Sequence, residues 1–157
     1  MKKSTFLYFL LSPIILFAQE GQNVYPFLNI PVSARQAALG GDAVSIRDFD
    51  VSFAVVNPGL MNLEQDQMIS LNFASYLADS KYGTISFVKD LGEAHLISFN
   101  ARYMDYGRMP RTDESATIDG EFGAMDASVG LGYAYQFDEN WTIAGGTNFI
   151  SKKIDNY

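Results

Sequence analysis

The sequence predicts an all-β protein, the first part of an antiparallel transmembrane β-barrel. Three observations lead to this prediction: five long stretches of period-two alternation, a secretory leader, and aromatic residues collected where the alternating stretches end. Successive side chains of a strand point to opposite faces, so alternation predicts one apolar and one polar or small face. Tilted strands of about ten residues are long enough to cross a bilayer.

The first 18 residues are typical of a secretory signal peptide. Lys2 and Lys3 give a positive start, an apolar run from Phe6 to Phe17 follows, and Ala18 precedes polar residues. The run is shorter than the roughly 20 residues that a membrane-spanning helix needs. We therefore expect cleavage near Ala18 and a mature protein located in the cell outer membrane.

Composition excludes several classes of function. The chain has 157 residues with 11 basic and 18 acidic side chains, a formal charge of −7, no cysteine and one histidine. An acidic chain without a basic block has little to offer the phosphates of nucleic acid. The absence of cysteine excludes disulfides, thiol nucleophiles and thiolate metal sites. We expect no enzymatic activity, no cofactor, no metal and no nucleic-acid partner.

Residues 19–65, here called the hatch segment, lack the long alternating runs of the rest of the mature chain. Proline and glycine punctuate this segment, which has one helix-like stretch from Ser33 to Leu39 with Ser33 as its N-cap and Gly40 as its stop. We expect the hatch segment to lie on the periplasmic side of the sheet or inside the barrel, with residues 66–157 supplying the strands.

Five alternating stretches follow Gln65, and their second face carries polar or small residues such as Asn100, Arg102 and Gln136. A soluble β-sandwich also alternates, and it is the alternative. The stretches are longer than typical soluble strands, which favours the barrel. The more apolar face consists of Ile69, Leu71 and Phe73; Ile85 and Phe87; Ile97, Phe99, Ala101 and Tyr103; Ala127, Val129, Leu131, Tyr133, Tyr135 and Phe137; and Trp141, Ile143, Thr147 and Phe149.

The connections alternate in length as they do in transmembrane barrels, where turns are short on the periplasmic side and loops longer outside. Residues 90–92 and 138–140 are tight turns, residues 77–80 form a short external link, and residues 105–119 form a longer polar external loop. This loop is the candidate partner-binding surface because arginine binds carboxylate or phosphate in a bidentate way. A merely solvated loop is the alternative. The candidate residues are Arg108, Arg111, Asp113 and Glu114.

Several short motifs point to a known family. The stretch from Val24 to Arg35 (VYPFLNIPVSAR) is followed by Leu39-Gly40-Gly41 and by Asn57-Pro58-Gly59. Their order resembles the start of the FadL-like outer-membrane proteins of the type IX secretion system. The resemblance is strongest to the PorQ-like branch, and the PorV-like branch is the related one from which it has to be distinguished. The resemblance runs from about residue 21 to residue 157. The Gly59 position departs from the family's usual Asn-Pro-Ala.

The resemblance implies a barrel of about 14 strands and a hatch in which the motifs Leu39, Gly40, Gly41, Asn57, Pro58 and Gly59 are structural. It also implies a non-enzymatic role: anchoring, at the lipopolysaccharide-bearing outer membrane, the cell-surface attachment complex that processes secreted cargo. The implied protein partners are a PorZ-like protein together with PorU and PorV. The alternative is a FadL-like channel for hydrophobic molecules.

Three weaker signals have ordinary structural interpretations as well. His95 follows a turn and is expected at the periplasmic rim. Gly130, Gly132 and Ala134 are expected on the lumen face, where small residues leave room for a plug. The oxygen-rich cluster of Asp42, Asp48, Asp50 and Asn57 is of the type that binds a hard cation, but turn capping is the expected role of these side chains.

The number of strands is small for the predicted architecture. Residues 66–157 supply five strands, whereas closed single-chain outer-membrane barrels have about eight or more. An open sheet leaves unpaired edges, which lipid does not tolerate. We therefore expect this sequence to be the N-terminal portion of a protein about twice as long.

Overall fold

The computed structural model of the protein describes residues 24–41, 44–112, 117–138 and 140–155. These ranges contain a short α-helix, α1 (Ala34–Ala38), and five strands. The predicted signal peptide and its cleavage near Ala18 lie outside the described residues. The strands are β1 (Ile69–Ser75), β2 (Lys81–Asp90), β3 (His95–Thr112), β4 (Ile118–Gln136) and β5 (Thr142–Ile154).

The helical part of the protein is short and lies mainly in the hatch segment. The Ser33 hydroxyl accepts a hydrogen bond from the Gln36 amide at 3.2 Å, and Gly40 follows α1 with φ of 95°, which confirms the predicted cap and stop. No helix among the described residues combines the length and the apolar character needed to span a membrane. The 3-10 helices are Pro26–Asn29, Val51–Val55, Pro58–Leu60, Leu63–Gln65 and Leu77–Asp79.

The five strands form one antiparallel sheet in which each strand pairs with the next in the chain. This arrangement confirms the all-β prediction and the five predicted strands. The order β1-β2-β3-β4-β5 leaves β1 and β5 as the two edges, so the sheet is not closed within the described residues. The Leu77–Asp79 link and the β3–β4 connection lie at one end of the strands, and the other two turns lie at the opposite end.

The predicted external loop over residues 105–119 is wrong in extent. β3 continues to Thr112 and β4 begins at Ile118, so Arg108 and Arg111 belong to a strand. Asp113 and Glu114 lie outside the described residues. The alternation is hidden here because both faces carry polar residues, and a register shift between Asp105 and Arg108 interrupts the period.

The two faces of the sheet are reversed relative to those of a soluble protein. Leu71 and Phe73 on the apolar face are 73% and 74% exposed, whereas Asn100 and Arg102 on the polar face are 4% and 5% exposed. Large exposed apolar surfaces on soluble proteins mark interaction sites. The other large side chains exposed on the apolar face are Ile69, Ile85, Ile97, Phe99, Tyr103, Val129, Leu131, Tyr133, Trp141, Ile143 and Phe149.

The hatch segment packs against the polar face of the sheet, and its predicted location inside a barrel or on the periplasmic side stays a prediction. Two apolar clusters join it to the strands, one toward each end. The cluster at the Leu77–Asp79 end is centred on Phe27, Tyr82 and Met104. The cluster at the opposite end contains Val51, Ala54, Met61, Val88, Leu96 and Ala134.

Glycines on the polar face make the close approach of the hatch segment feasible. A Cβ atom on Gly132 would lie 3.1 Å from the Pro58 side chain, and one on Gly146 would lie 3.3 Å from it. Gly132 therefore leaves room for Pro58 of the hatch segment, whereas the predicted lumen position of this glycine stays a prediction. Gly130 instead faces other strand residues, because a Cβ there would overlap the side chains of Asn148 and Asn100.

We predict that Gly132→Ala destabilises the protein by about 1–3 kcal/mol, because the added methyl group overpacks the contact with Pro58 and Ser98. The matched control is Gly145→Ala on β5, where an added Cβ has no atom within 4 Å. This control should change stability by no more than about 1 kcal/mol. Chemical unfolding of both variants in detergent measures the difference, and equal midpoints would contradict the packing argument.

Candidate functional site

The contact between the hatch segment and the sheet is centred on Arg102 of β3. Its Nη1 donates to the Leu28 carbonyl at 2.6 Å, and its Nη2 donates to the Val55 carbonyl at 2.9 Å. Both acceptors lie in 3-10 helices of the hatch segment, Pro26–Asn29 and Val51–Val55, near the ends where backbone carbonyls lack partners within the helix. One planar guanidinium therefore ties two separate parts of the hatch segment to the middle of the sheet.

Arg102 is an expensive side chain to bury, since a charge loses its hydration in the protein interior. The ion pairs found among the described residues do not include it. Carbonyl oxygens take the place of a carboxylate as its partners. Hydrogen bonds from a charged donor are stronger than neutral ones, and the rigid fork of arginine reaches two acceptors at once.

Smaller polar contacts extend this attachment toward the β1 edge. The Thr84 hydroxyl on β2 donates to the Val32 carbonyl at 2.8 Å. The hydroxyls of Ser52 and Ser70 lie 2.9 Å apart, and the Asn72 amide donates to Ser70 at 3.0 Å. The polar face of the sheet thus recognises the backbone and side chains of the hatch segment at several points.

The six predicted hatch residues fall into two separate groups. Leu39, Gly40 and Gly41 end α1, and the Gly41 amide donates to the Gln36 carbonyl at 3.0 Å. In the second group the Asn57 carboxamide oxygen accepts from the Gly59 amide at 2.9 Å, which shapes the turn that places Pro58 over Gly132. The second group contacts the sheet, because Pro58 packs on Gly132 and Gly146.

In the oxygen-rich cluster noted in the sequence, Asp48 and Asp50 form ion pairs with Arg35. Arg35 forms a hydrogen-bonded ion pair with Asp48 and a longer pair with Asp50 at 3.7 Å. Partial burial acts to raise the pKa of Asp48, but the Arg35 guanidinium and the Asp50 backbone amide outweigh it, and the net pKa is lowered. Asp42 lies outside the described residues, in which no group of three or more His, Cys, Asp or Glu side chains could hold a metal.

Asp66 ties the end of the hatch segment to the edge of the sheet. Its carboxylate accepts from the Asp90 backbone amide at 2.8 Å and from the Lys89 ammonium at 3.2 Å. The Asp90 amide, followed by the Gln67 side chain, lowers the pKa of Asp66 to about 2. The carboxylate therefore stays ionised over the whole physiological range and fixes where β1 begins beside the end of β2.

Aromatic residues cluster on the turn end of β3 and β4. His95 Nδ1 lies 2.6 Å from the Tyr133 hydroxyl, and the His95 ring packs 4.6 Å from the ring of Tyr135. Phe137 stands edge-on to Tyr135, also at 4.6 Å between ring centres. The histidine thus belongs to an aromatic group at this end of the strands, and its location at a periplasmic rim stays a prediction.

Arg108 and Arg111, two of the four predicted partner-binding residues, lie on an extended two-stranded ribbon. Pairing between β2 and β3 ends at Asp105, whereas β3 and β4 continue together to Thr112. Arg111 pairs with Asp119 at 2.7 Å, and Arg108 lies 3.7 Å from Glu121. These side chains form ion pairs across the ribbon, and their role in binding a partner stays a prediction.

The sequence placed Arg102 on the lumen face but did not identify its role. The available signal was a single cation that follows Ser98 and Asn100 on the inner face of the central strand. That signal could not name the acceptors, because Leu28 and Val55 contribute backbone carbonyls, which have no sequence signature.

We predict that Arg102→Lys destabilises the attachment of the hatch segment by about 2 kcal/mol, because a single ammonium cannot reach both carbonyls while its burial still costs hydration. Arg108→Lys is the control: its side chain is exposed, and we expect a change within about 0.5 kcal/mol. Limited proteolysis should cut the hatch segment faster in Arg102→Lys alone. Equal cleavage in both variants would show that Arg102 does not hold the hatch.

Comparisons of this chain with protein-family models, with curated proteins and with solved structures found no match.

Proposed function

We propose that this protein is a non-enzymatic outer-membrane β-barrel component of the type IX secretion system, which anchors the cell-surface attachment complex. One observation carries the membrane part of the proposal: the sheet buries its polar face under the hatch segment and exposes its apolar face. In water this arrangement is unfavourable, since burying apolar area is what stabilises a fold. In a bilayer it is the expected arrangement of an outer-membrane barrel.

The aromatic group at the turn end supports the same placement. Tyrosine and tryptophan are most stable at the membrane interface, where the ring is in an apolar layer and the polar end reaches water. Tyr133 and Trp141 stand 46% and 71% exposed beside the turn between β4 and β5. They would mark the periplasmic boundary of the apolar band.

An open sheet needs further strands before it is stable in lipid, because the edge strands β1 and β5 would leave backbone groups unpaired. In this meander β1 and β5 run in the same direction. Antiparallel closure therefore requires an odd number of additional strands, which gives the even total usual for single-chain outer-membrane barrels. We propose that the five strands are the first arc of such a barrel.

The hatch contacts favour an anchor over the alternative channel for hydrophobic molecules. The covered face presents Thr84, Asn100, Arg102 and Ser128, all buried and polar. A path for an apolar molecule along these residues would have to break the hydrogen bonds of Arg102 and Thr84 without replacing them.

The projecting ribbon of β3 and β4 is the surface that we assign to the PorZ-like partner. It extends past the end of β2 on the side opposite the aromatic group, which is the external side in the proposed orientation. Its arginines and carboxylates suit binding to a protein surface, and its arginines also suit the phosphates of lipopolysaccharide. PorU and PorV would be the further members of the complex.

Membrane placement can be tested with the single tryptophan of the chain. In vesicles of brominated phosphatidylcholine, we expect Trp141 to be quenched more by bromine near the headgroup than by bromine near the chain end. The matched variant combines Trp141→Phe with Leu131→Trp, which moves the indole to the middle of the apolar face and should reverse the preference. Absence of quenching in both, with release of the protein by carbonate, would favour a soluble secreted β-domain.

The anchoring role can be tested separately by affinity capture from a detergent extract of cells that assemble the complex. We expect the tagged protein to recover a PorZ-like partner, and the double variant Arg108→Ala with Arg111→Ala to recover several-fold less. A matched double variant on the opposite side, Glu93→Ala with Asp138→Ala, should recover the normal amount. Failure of the unaltered protein to recover the partner would contradict anchoring while leaving the membrane placement intact.

A further inference from the structure

A group of buried polar atoms between the hatch segment and the sheet lacks hydrogen-bond partners among the described protein atoms. Each belongs to a side chain that is at most 5% exposed. Native proteins leave few such atoms unpaired, and a concentration of them at one place indicates a bound polar species. The atoms are the hydroxyls of Tyr82, Ser98 and Ser128, Nε of Arg102, and a side-chain oxygen of each of Asn100 and Asp126.

These atoms form one continuous patch on the inner face of β2, β3 and β4. Ser98, Asn100 and Arg102 are alternate residues of β3, and Arg102 is directly opposite Ser128 on β4. Met104 lies between Tyr82 and Asp126 in the neighbouring row of the sheet. We call this patch the polar seam.

The polar seam lies between the two apolar clusters that attach the hatch segment, and at one end it includes the hydroxyl of Tyr82, whose ring belongs to the Phe27 cluster. Ala134 and Met61 belong to the cluster beyond Ser98, and Phe27 belongs to the cluster beyond Arg102. On the β5 side, Gly146 contacts Pro58 and Ile150 packs against the Phe27 cluster. Asn148 between them is exposed, and it shares a row of the sheet with Gly130 and with Asn100 of the seam. Access to the seam is therefore from the β5 side.

We propose that the polar seam binds a cluster of water molecules that exchange with solvent and seat the hatch segment on the sheet. The mixture of donors and acceptors decides the ligand. Nε of Arg102 only donates, the oxygens of Asn100 and Asp126 only accept, and the hydroxyls do both. Water donates and accepts, whereas a simple cation or anion would satisfy only one of these groups.

A hydrated seam selects which small molecules can enter the space beneath the hatch segment. Water is readily replaced by small uncharged solutes with hydroxyl groups, which offer the same donors and acceptors. Apolar molecules leave the seam atoms unpaired and are disfavoured. The seam depends only on the contact between hatch segment and sheet, so it holds in whatever medium surrounds the outer face.

The chain has no native cysteine among its 157 residues, so single cysteines can report on the seam. The test compares Ser128→Cys with Ala134→Cys, two positions on the same face of β4 that are 2% and 0% exposed. The probe is methyl methanethiosulfonate, a small neutral reagent that attacks the thiolate. We expect Ser128→Cys to react about tenfold faster or more, because a hydrated thiol ionises and meets the reagent more readily.

Equal, slow reaction at both positions would show a dry contact and overturn the proposal. Equal, fast reaction would show that the whole hatch segment lifts, which also overturns it. Ser98→Cys replaces Ser128→Cys if the latter does not fold. Adding Asn100→Leu to Ser128→Cys should slow labelling again, since the apolar side chain displaces water; unchanged labelling would count against the seam. A dry result leaves the quenching of Trp141 by brominated lipid unaffected, so failure here is distinct from failure of the proposed function.

Discussion

The hydrogen bonds of Arg102 to two backbone carbonyls are the interaction on which the rest of this structure depends. A guanidinium in the middle of a sheet cannot remain without partners, and here the hatch segment supplies them from Leu28 and Val55. These two carbonyls belong to separate short helices, so one side chain fixes both of them relative to β3. The remaining contacts, Thr84 with Val32 and Pro58 with Gly132, extend from that fixed point.

The demand for partners also explains why the faces of the sheet are reversed. Strands that carry serine, asparagine and arginine toward the hatch segment must carry their apolar residues on the other face, because side chains alternate. Leu71, Phe73 and Phe149 therefore lie outward and exposed. Such a surface is unfavourable in water and would be stable in an apolar medium, which is the basis of the proposed membrane location.

Sequence reasoning identified the strands well and their extent less well. Alternation is a local property, so the runs around Phe99 and Leu131 were sufficient to place β3 and β4. It fails where neither face is apolar: the continuation from Asp105 to Thr112 is held by cross-strand pairs such as Arg111 with Asp119, which depend on register rather than on composition. Capping could be predicted at Ser33 because its hydroxyl acts within one turn of its own position.

The centre of the site could not be predicted for a related reason. Arg102 acts across 74 residues on Leu28 and across 47 residues on Val55, and both acceptors are carbonyls that every residue has. Glycine was the more informative signal, because a residue without a side chain inside a strand costs stability unless something approaches it closely. At Gly132 and Gly146 that neighbour is Pro58, so the glycines of β4 and β5 and the Asn57-Pro58-Gly59 turn form one packed contact built from two distant parts of the sequence. Small residues on the inner face therefore indicate where the hatch segment rests, and the polar residues beside them indicate what holds it there.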